Sequence, residues 1–280
     1  MGIVLGLAAA LLYGGSDFGG GLLSRRMGSL PVNVVGSAAA AVLAWAALAL
    51  FGGSGPSVHA IAWGVAGGLG GGAGTLILYR GLARGQMSVV GPVSAVAAAA
   101  VPVAAGLAMG ERPPVLAMAG IVVALPAIVL VATSGSARAI LSPALLDGLA
   151  AGVAFGVMFI GLAQAGRGAG HGAGLWPVAS EQTGSLLLVL AVAARTRVPL
   201  RPVIRAAGGP VLVGASGMAA TLLYFYATHF AMLATAAVLV SLYPGVTVLL
   251  ARTVLHERFS PAQRAGLSLC TIAVIAIALN

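Results

Sequence analysis

The chain has 280 residues, 14 of them basic and 5 acidic, for a formal net charge of +9. A soluble protein of this length carries about 70 charged residues, at about 25% of the chain. With 60% apolar residues and 42 glycines besides, too little polar surface remains to cover a soluble domain, the hydrophobicity excludes disorder, and a single cysteine, Cys270, excludes a disulfide scaffold. A polytopic membrane protein is left.

A helical span needs about 20 mostly apolar residues to cross a hydrocarbon core of about 30 Å. Polar or Gly/Pro-rich breaks fall at Ser24–Ser29, Gly52–Ser57, Gly81–Met87, Gly110–Pro114, Ser134–Pro143, Gly166–Gly172, Arg195–Arg205, Phe230–Thr235 and Leu255–Pro261. They divide the chain into ten segments. The long, unalternated apolar runs demand helices rather than a barrel.

The first segment, Gly2–Leu23, has no basic residue before it and Arg25 and Arg26 after it. It reads as a retained helix entering from outside, not as a signal peptide. Tyr13 and Asp17 share one face of it. An ionisable group inside a span is a functional candidate by default. Asp17 either binds a substrate amino group, or caps a helix end, or pairs with Arg25 or Arg26. In the third segment His59 and Trp63 share an interfacial face. Gly64, Gly67, Gly68, Gly70, Gly71, Gly72 and Gly74 follow within eleven residues. They point to close helix packing, with bending or sliding as the functional alternative. Tyr79 ends this segment as either a belt or a cavity residue. Pro92 and Pro102 in the fourth free backbone carbonyls.

In the second half, Gly148, Gly152 and Gly156 repeat the small-xxx-small spacing in the sixth segment. Gly168, Gly170 and Ala173 have the spacing of a dinucleotide fingerprint, but no strand precedes them. The seventh segment holds Trp176, Pro177, Ser180, Glu181, Gln182 and Thr183, with Glu181 and Gln182 deepest. Trp176 suits either an interfacial belt or a cavity. The eighth offers Tyr224, Tyr226, Thr228 and His229, the histidine open to a structural or a functional role. Ser241, Tyr243 and Pro244 stand in the middle of the ninth. Glu111 and Glu257, each beside an arginine, read as ion pairs that fix loops. Cys270 reads as a small core residue.

All 14 basic residues are arginine, and twelve lie on or just after the odd-numbered loops; Arg112 and Arg167 fall on the other side. The positive-inside rule then places both termini outside and directs the charge to the anionic inner leaflet. No loop is long enough for a nucleic-acid-binding domain. Neither metal-ligand spacing nor a nucleophile elbow is present, so no metal, cofactor or enzymatic centre is expected.

The chain also repeats itself. Gly6-Leu7-Ala8-Ala9 matches Gly148-Leu149-Ala150-Ala151, and Tyr13-Gly14 matches Phe155-Gly156. Glu111-Arg112 followed by Gly120 matches Glu257-Arg258 followed by Gly266. These matches predict two copies of a five-helix unit, residues 1–135 and 143–280, joined through Ser134–Pro143. Five is odd, so the second copy enters from the opposite side. The expected fold class is all-α, with ten transmembrane helices as an inverted 5+5 repeat. That architecture is used by secondary transporters, with the substrate near the midplane between the halves.

The run Tyr13-Gly14-Gly15-Ser16-Asp17-Phe18 resembles the "WGsnF" motif of the EamA family in the drug/metabolite transporter superfamily. The run from Tyr79 through Gly110-Glu111-Arg112 to Gly120 is similar to that family's third-to-fifth-helix signature. Tyr226, Ser241-Leu242-Tyr243-Pro244, His256-Glu257-Arg258 and Gly266 repeat it. Within the family the likeness is to the YddG-type aromatic amino-acid exporters. The chain departs from the family in having Asp17 where Asn is usual, and Ala98 where the second half has Pro244. The resemblance implies ten helices, the inverted repeat, and export of small metabolites, often amino acids.

The expectation is a monomeric, multi-pass carrier of the bacterial inner membrane with both termini periplasmic. It exports aromatic or hydrophobic amino acids by alternating access; the alternative is a multidrug or quaternary-amine exporter. Its partners are the lipid bilayer and a small amino acid or amphiphilic metabolite. The candidate substrate-binding residues are Tyr13, Asp17, Tyr79, Trp176, Glu181, Gln182, Tyr224, Ser241, Tyr243 and Pro244. Asp17 or Glu181 would hold an ammonium group, and hydroxyls and freed backbone groups a carboxylate. Tyr13, Trp176, Tyr224 and Tyr243 would form an aromatic wall. Arginine is absent from the span interiors, which disfavours a strongly anionic substrate. Reporters fused to each terminus test the orientation: a reporter active only in the cytoplasm is expected to be silent at both ends.

Overall fold

The computed structural model describes the chain except residues 53, 54, 56, 85, 86, 111, 113, 133–142, 168–173, 231, 232, 255–259, 279 and 280. Glu111, Glu257 and nearly all of the Ser134–Pro143 linker, together with the side chains of Pro244 and Cys270, lie outside the described residues. The described residues form helices α1 (Gly2–Met27), α2 (Ser29–Phe51), α3 (Val58–Ala83), α4 (Met87–Ala108), α5 (Val115–Ala132) and α6 (Pro143–Arg167). They continue with α7 (Trp176–Thr196), the short α8 (Arg201–Arg205), α9 (Gly208–Phe230), α10 (Leu233–Val240), α11 (Tyr243–Val254) and α12 (Pro261–Ala278). Among the described residues, seven helices are long and apolar enough to cross a membrane.

Burial runs opposite to that of a soluble protein. Leu50, Phe51, Val58 and Leu212 point outward, while Asp17, Asn33, Glu181 and Gln182 are buried. Hydrocarbon solvates the first group and penalises the second, so polar side chains collect inside the bundle.

Local signals set the helix ends. Gly28 links α1 to α2 at φ 86°, a conformation costly for any residue with a Cβ. Ser57 caps α3 by accepting from the Ala60 N–H at 3.0 Å. Pro92 and Pro102 sit within an unbroken α4. Pro244 behaves differently. The sequence places it within a single ninth helix, but the helix is interrupted between Val240 and Tyr243. Pro244 has no N–H to give the Val240 carbonyl, and the chain closes with a tighter bond from the Gly245 N–H to the Leu242 carbonyl at 2.9 Å. α4 runs unbroken through Ala98.

Glycine governs the packing. α3 lies between α6 and α7 and presents a glycine row to each. Gly64, Gly68 and Gly72 meet Ser180, Glu181 and Ser185 of α7, while Gly67, Gly70 and Gly74 meet Met158, Ala154 and Phe155 of α6. Gly161 and Gly184 answer from the opposite sides. α1 packs along α9, where Gly19 meets Val213, and along α10 and α11, where Gly6 meets Leu239 and Gly14 meets Tyr243 and Val246. α4 packs along α6, with Gly148 against Val93, Gly152 against Ser94 and Gly156 against Val101. Lipid competes equally for apolar side chains, so backbone approach and dispersion carry the association.

Neighbouring glycines allow a controlled test. A Cβ at Gly14 would strike the Tyr243 carbonyl and Val246, whereas one at Gly15 meets nothing within 4 Å. Gly14→Ala is expected to lower the thermal midpoint in detergent, at a cost of about 1–3 kcal/mol for overpacking. Gly15→Ala is expected to leave the midpoint unchanged or raise it, because Ala is the better helix former.

Candidate functional site

The glycine contacts leave space at the centre of the bundle. α1, α2, α3, α6, α7 and α9, with Tyr243 at the head of α11, surround a cavity. Six of the ten candidate residues line it: Tyr13, Asp17, Tyr79, Glu181, Gln182 and Tyr243. Phe155 and Phe159 add apolar wall, and no basic side chain among the described residues lines it.

Glu181 stands one turn into α7, 2% exposed. Its backbone is drawn against Gly68, and Gly71 has no side chain where a Cβ would lie 2.9 Å from Glu181 Oε1 and from the Met158 sulfur. Among the described residues Glu181 Oε2 has no hydrogen-bond partner. Asp17 is 6% exposed. Both carboxyls border one space in a low-dielectric interior, where an unpartnered charge is expensive.

The tyrosines are held through hydroxyl relays. Tyr13 lies 2.7 Å from Thr221 Oγ1, and Thr221 donates to the Gly217 carbonyl at 3.0 Å. A threonine hydroxyl has one proton, so Tyr13 donates and Thr221 accepts. Gln182 Nε2 donates to the same oxygen at 3.4 Å, which ties α1, α7 and α9 at one atom. Tyr243 lies 2.8 Å from Ser94 Oγ, and Ser94 donates to the Gly91 carbonyl at 2.8 Å, so Tyr243 donates likewise. Ser16 donates to the Val213 carbonyl at 3.0 Å. The Tyr243 ring meets Tyr13 and Phe155 edge-on, at 6.4 and 6.5 Å between centroids.

Trp176, Tyr224 and Ser241 stand off the cavity wall. Trp176 packs edge-on against Trp45 at 5.6 Å. Tyr224 lies behind the wall, its ring 4.7 Å from Phe159 and its hydroxyl donating to the Phe159 carbonyl at 3.2 Å. Ser241 donates to the Ala237 carbonyl at 2.7 Å. The backbone of Pro244 lies in the first turn of α11. His229 packs on Phe225 at 4.7 Å and borders a second cavity with Arg167 and Thr228.

The sequence reading passed over Thr221, Ser94, Asn33 and Asp147. Thr221 is a lone hydroxyl in an apolar run, and its spacing signals nothing until α1 and α7 arrive beside it. Asp147 is buried near the start of α6, where Arg80 donates to Oδ1 and Arg84 to Oδ2 at 2.9 Å. This pairing fastens the end of α3 to the start of α6, away from the cavity. Among the described residues no three His, Cys, Asp or Glu side chains converge as a metal site would require.

The model of the EamA-like transporter family matches residues 1–133 and 142–279. A comparison with curated proteins gives no match. A solved crystal structure of another protein superposes at a TM-score of 0.67, over 99% of this chain and 96% of that one, at 16% identity. At that identity the likeness speaks to the fold.

Thr221→Val keeps the volume and removes the shared acceptor. It is expected to cost about 1–3 kcal/mol, because the buried Tyr13 and Gln182 donors lose their partner, and the thermal midpoint in detergent reads the loss.

Proposed function

Because the chain belongs to the EamA-like transporter family, whose members are membrane transporters of small solutes and not enzymes, we propose that it exports small amine-bearing metabolites, foremost aromatic and hydrophobic amino acids. The observation that carries this reading is the central cavity: two buried acids, three tyrosines and two phenylalanines line it, and no basic side chain among the described residues does. An acid partners the substrate ammonium, and the aromatic rings take the apolar side chain. Asn33, Ser37, Gln182 and Ser185 supply donors for a carboxylate. Such a substrate is the kind handled by YddG-type exporters, which the sequence also resembles.

The mechanism in this reading is alternating access in the bacterial inner membrane, by a monomer with both termini outside. Its frame is the inverted 5+5 repeat, residues 1–135 and 143–280. Two sets of contacts support that frame. Gly6 and Gly14 of α1 pack on Leu239 and Val246, just as Gly148 and Gly156 of α6 pack on Val93 and Val101. The first helix of each unit therefore lies along the fourth of the other, and the cavity forms where the units exchange. Rocking of the two groups about it opens one end and closes the other.

A second reading is a multidrug or quaternary-amine exporter. Its support is the excess of acids over bases around the cavity. Counterflow in liposomes separates the two. Vesicles loaded with L-phenylalanine are expected to take up labelled L-phenylalanine, and the absence of exchange across an amino-acid panel would remove the first reading.

A further inference from the structure

The cavity has a polarity that its residue types alone do not reveal. The hydroxyl protons of Tyr13 and Tyr243 point away from the cavity into Thr221 and Ser94, which in turn donate to backbone carbonyls. Thr75 donates to the Gly72 carbonyl at 3.2 Å. What these groups turn toward the cavity is oxygen lone pairs. The two carboxyls are acceptors as well when ionised. These groups therefore present acceptors, beside the donors of Asn33, Ser37, Gln182 and Ser185.

One of the two acids is set apart. Glu181 is almost wholly buried and its Oε2 has no partner among the described residues. It lines the cavity beside the notch left by Gly71, whose missing Cβ would crowd both Oε1 and the Met158 sulfur. A buried carboxylate oxygen without a donor is costly, and a ligand bearing N–H groups at this notch supplies the donor.

The geometry points to Glu181 as the recognition group for a primary ammonium, reached through the Gly71 notch, in a cavity that ranks N–H donors above a quaternary cation of equal charge. This inference rests on the transport reading above and sharpens its substrate class. A primary ammonium carries three donors for Glu181 and the tyrosine oxygens. A trimethylammonium group carries none and adds bulk where Gly71 and Met158 close in.

The test uses the full chain in liposomes with three probes: phenethylamine, its N,N,N-trimethyl derivative and L-phenylalanine. Phenethylamine is expected to half-saturate transport at a concentration about tenfold or more below the trimethyl compound, as hydrogen bonds to a charged group imply. Glu181→Gln is expected to raise the phenethylamine value about tenfold and to erase most of that preference, while Glu181→Asp retains it with weaker binding. Gly71→Ala keeps the carboxyl group and crowds the notch beside it. It is expected to raise the phenethylamine value severalfold, and it decides the question if Glu181→Gln fails to give monodisperse protein. The proposal is overturned by equal or better handling of the trimethyl compound. It is also overturned if Glu181→Gln behaves as wild type, or if the wild type handles no amine probe. L-Phenylalanine keeps the two claims apart. If it is not moved while the phenethylamine preference and its loss in Glu181→Gln persist, the amino-acid reading fails and the Glu181 assignment stands. If it is moved equally by wild type and Glu181→Gln, the reverse holds.

Discussion

In a bilayer, apolar side chains gain little by leaving lipid for one another, so helices adhere where their backbones come close. α3 is the clearest consequence. Its Gly64, Gly68 and Gly72 row accepts α7, and its Gly67, Gly70 and Gly74 row accepts α6. Gly71 falls between the rows and meets side-chain ends rather than the backbone of either helix. These are the Glu181 carboxyl of α7 and Met158 of α6. The packing that holds three helices together thus also leaves the notch at the cavity wall.

A cavity built this way must still satisfy the polar groups buried in its wall. The relays through Thr221 and Ser94 do so by passing the Tyr13 and Tyr243 protons outward to a threonine or serine and then to a backbone carbonyl. Each relay also joins helices far apart in sequence. Tyr13, Gln182 and Thr221 come from α1, α7 and α9; Ser94 and Tyr243 come from α4 and α11. Motion of one helix group against another therefore changes the hydroxyls that face the cavity, which couples the shape of the site to its chemistry. The Asp147 pairing with Arg80 and Arg84 lies apart from this centre and fixes the end of α3 to α6.

Much of this was legible in the residues themselves. Asp17 and Glu181 stood out because charge is scarce in this chain, and both border the cavity. The glycine window announced close packing, but not that its members divide between two partners with one left over. Tyr224 was read as cavity wall. Its ring stands one layer behind, on Phe159, because periodicity gives a face of a helix and not the neighbour that covers it. Thr221 and Ser94 were missed for the same reason, since a single hydroxyl acquires its meaning from the helix brought against it. Pro244 was placed within one helix. The missing N–H that was expected to free a carbonyl interrupts the helix at Ser241 and Leu242.

The central claim is that this acid-lined cavity is the transport site and is reached in turn from the two faces of the membrane. Ser37 lines it, and Cys270 is the chain's one cysteine. In a Cys270→Ser background, Ser37→Cys can be labelled in oriented membranes with an impermeant thiol reagent applied to either face. The account predicts labelling from both faces, slowed by phenethylamine. Failure to label from either face, or labelling that phenethylamine does not slow, would contradict it.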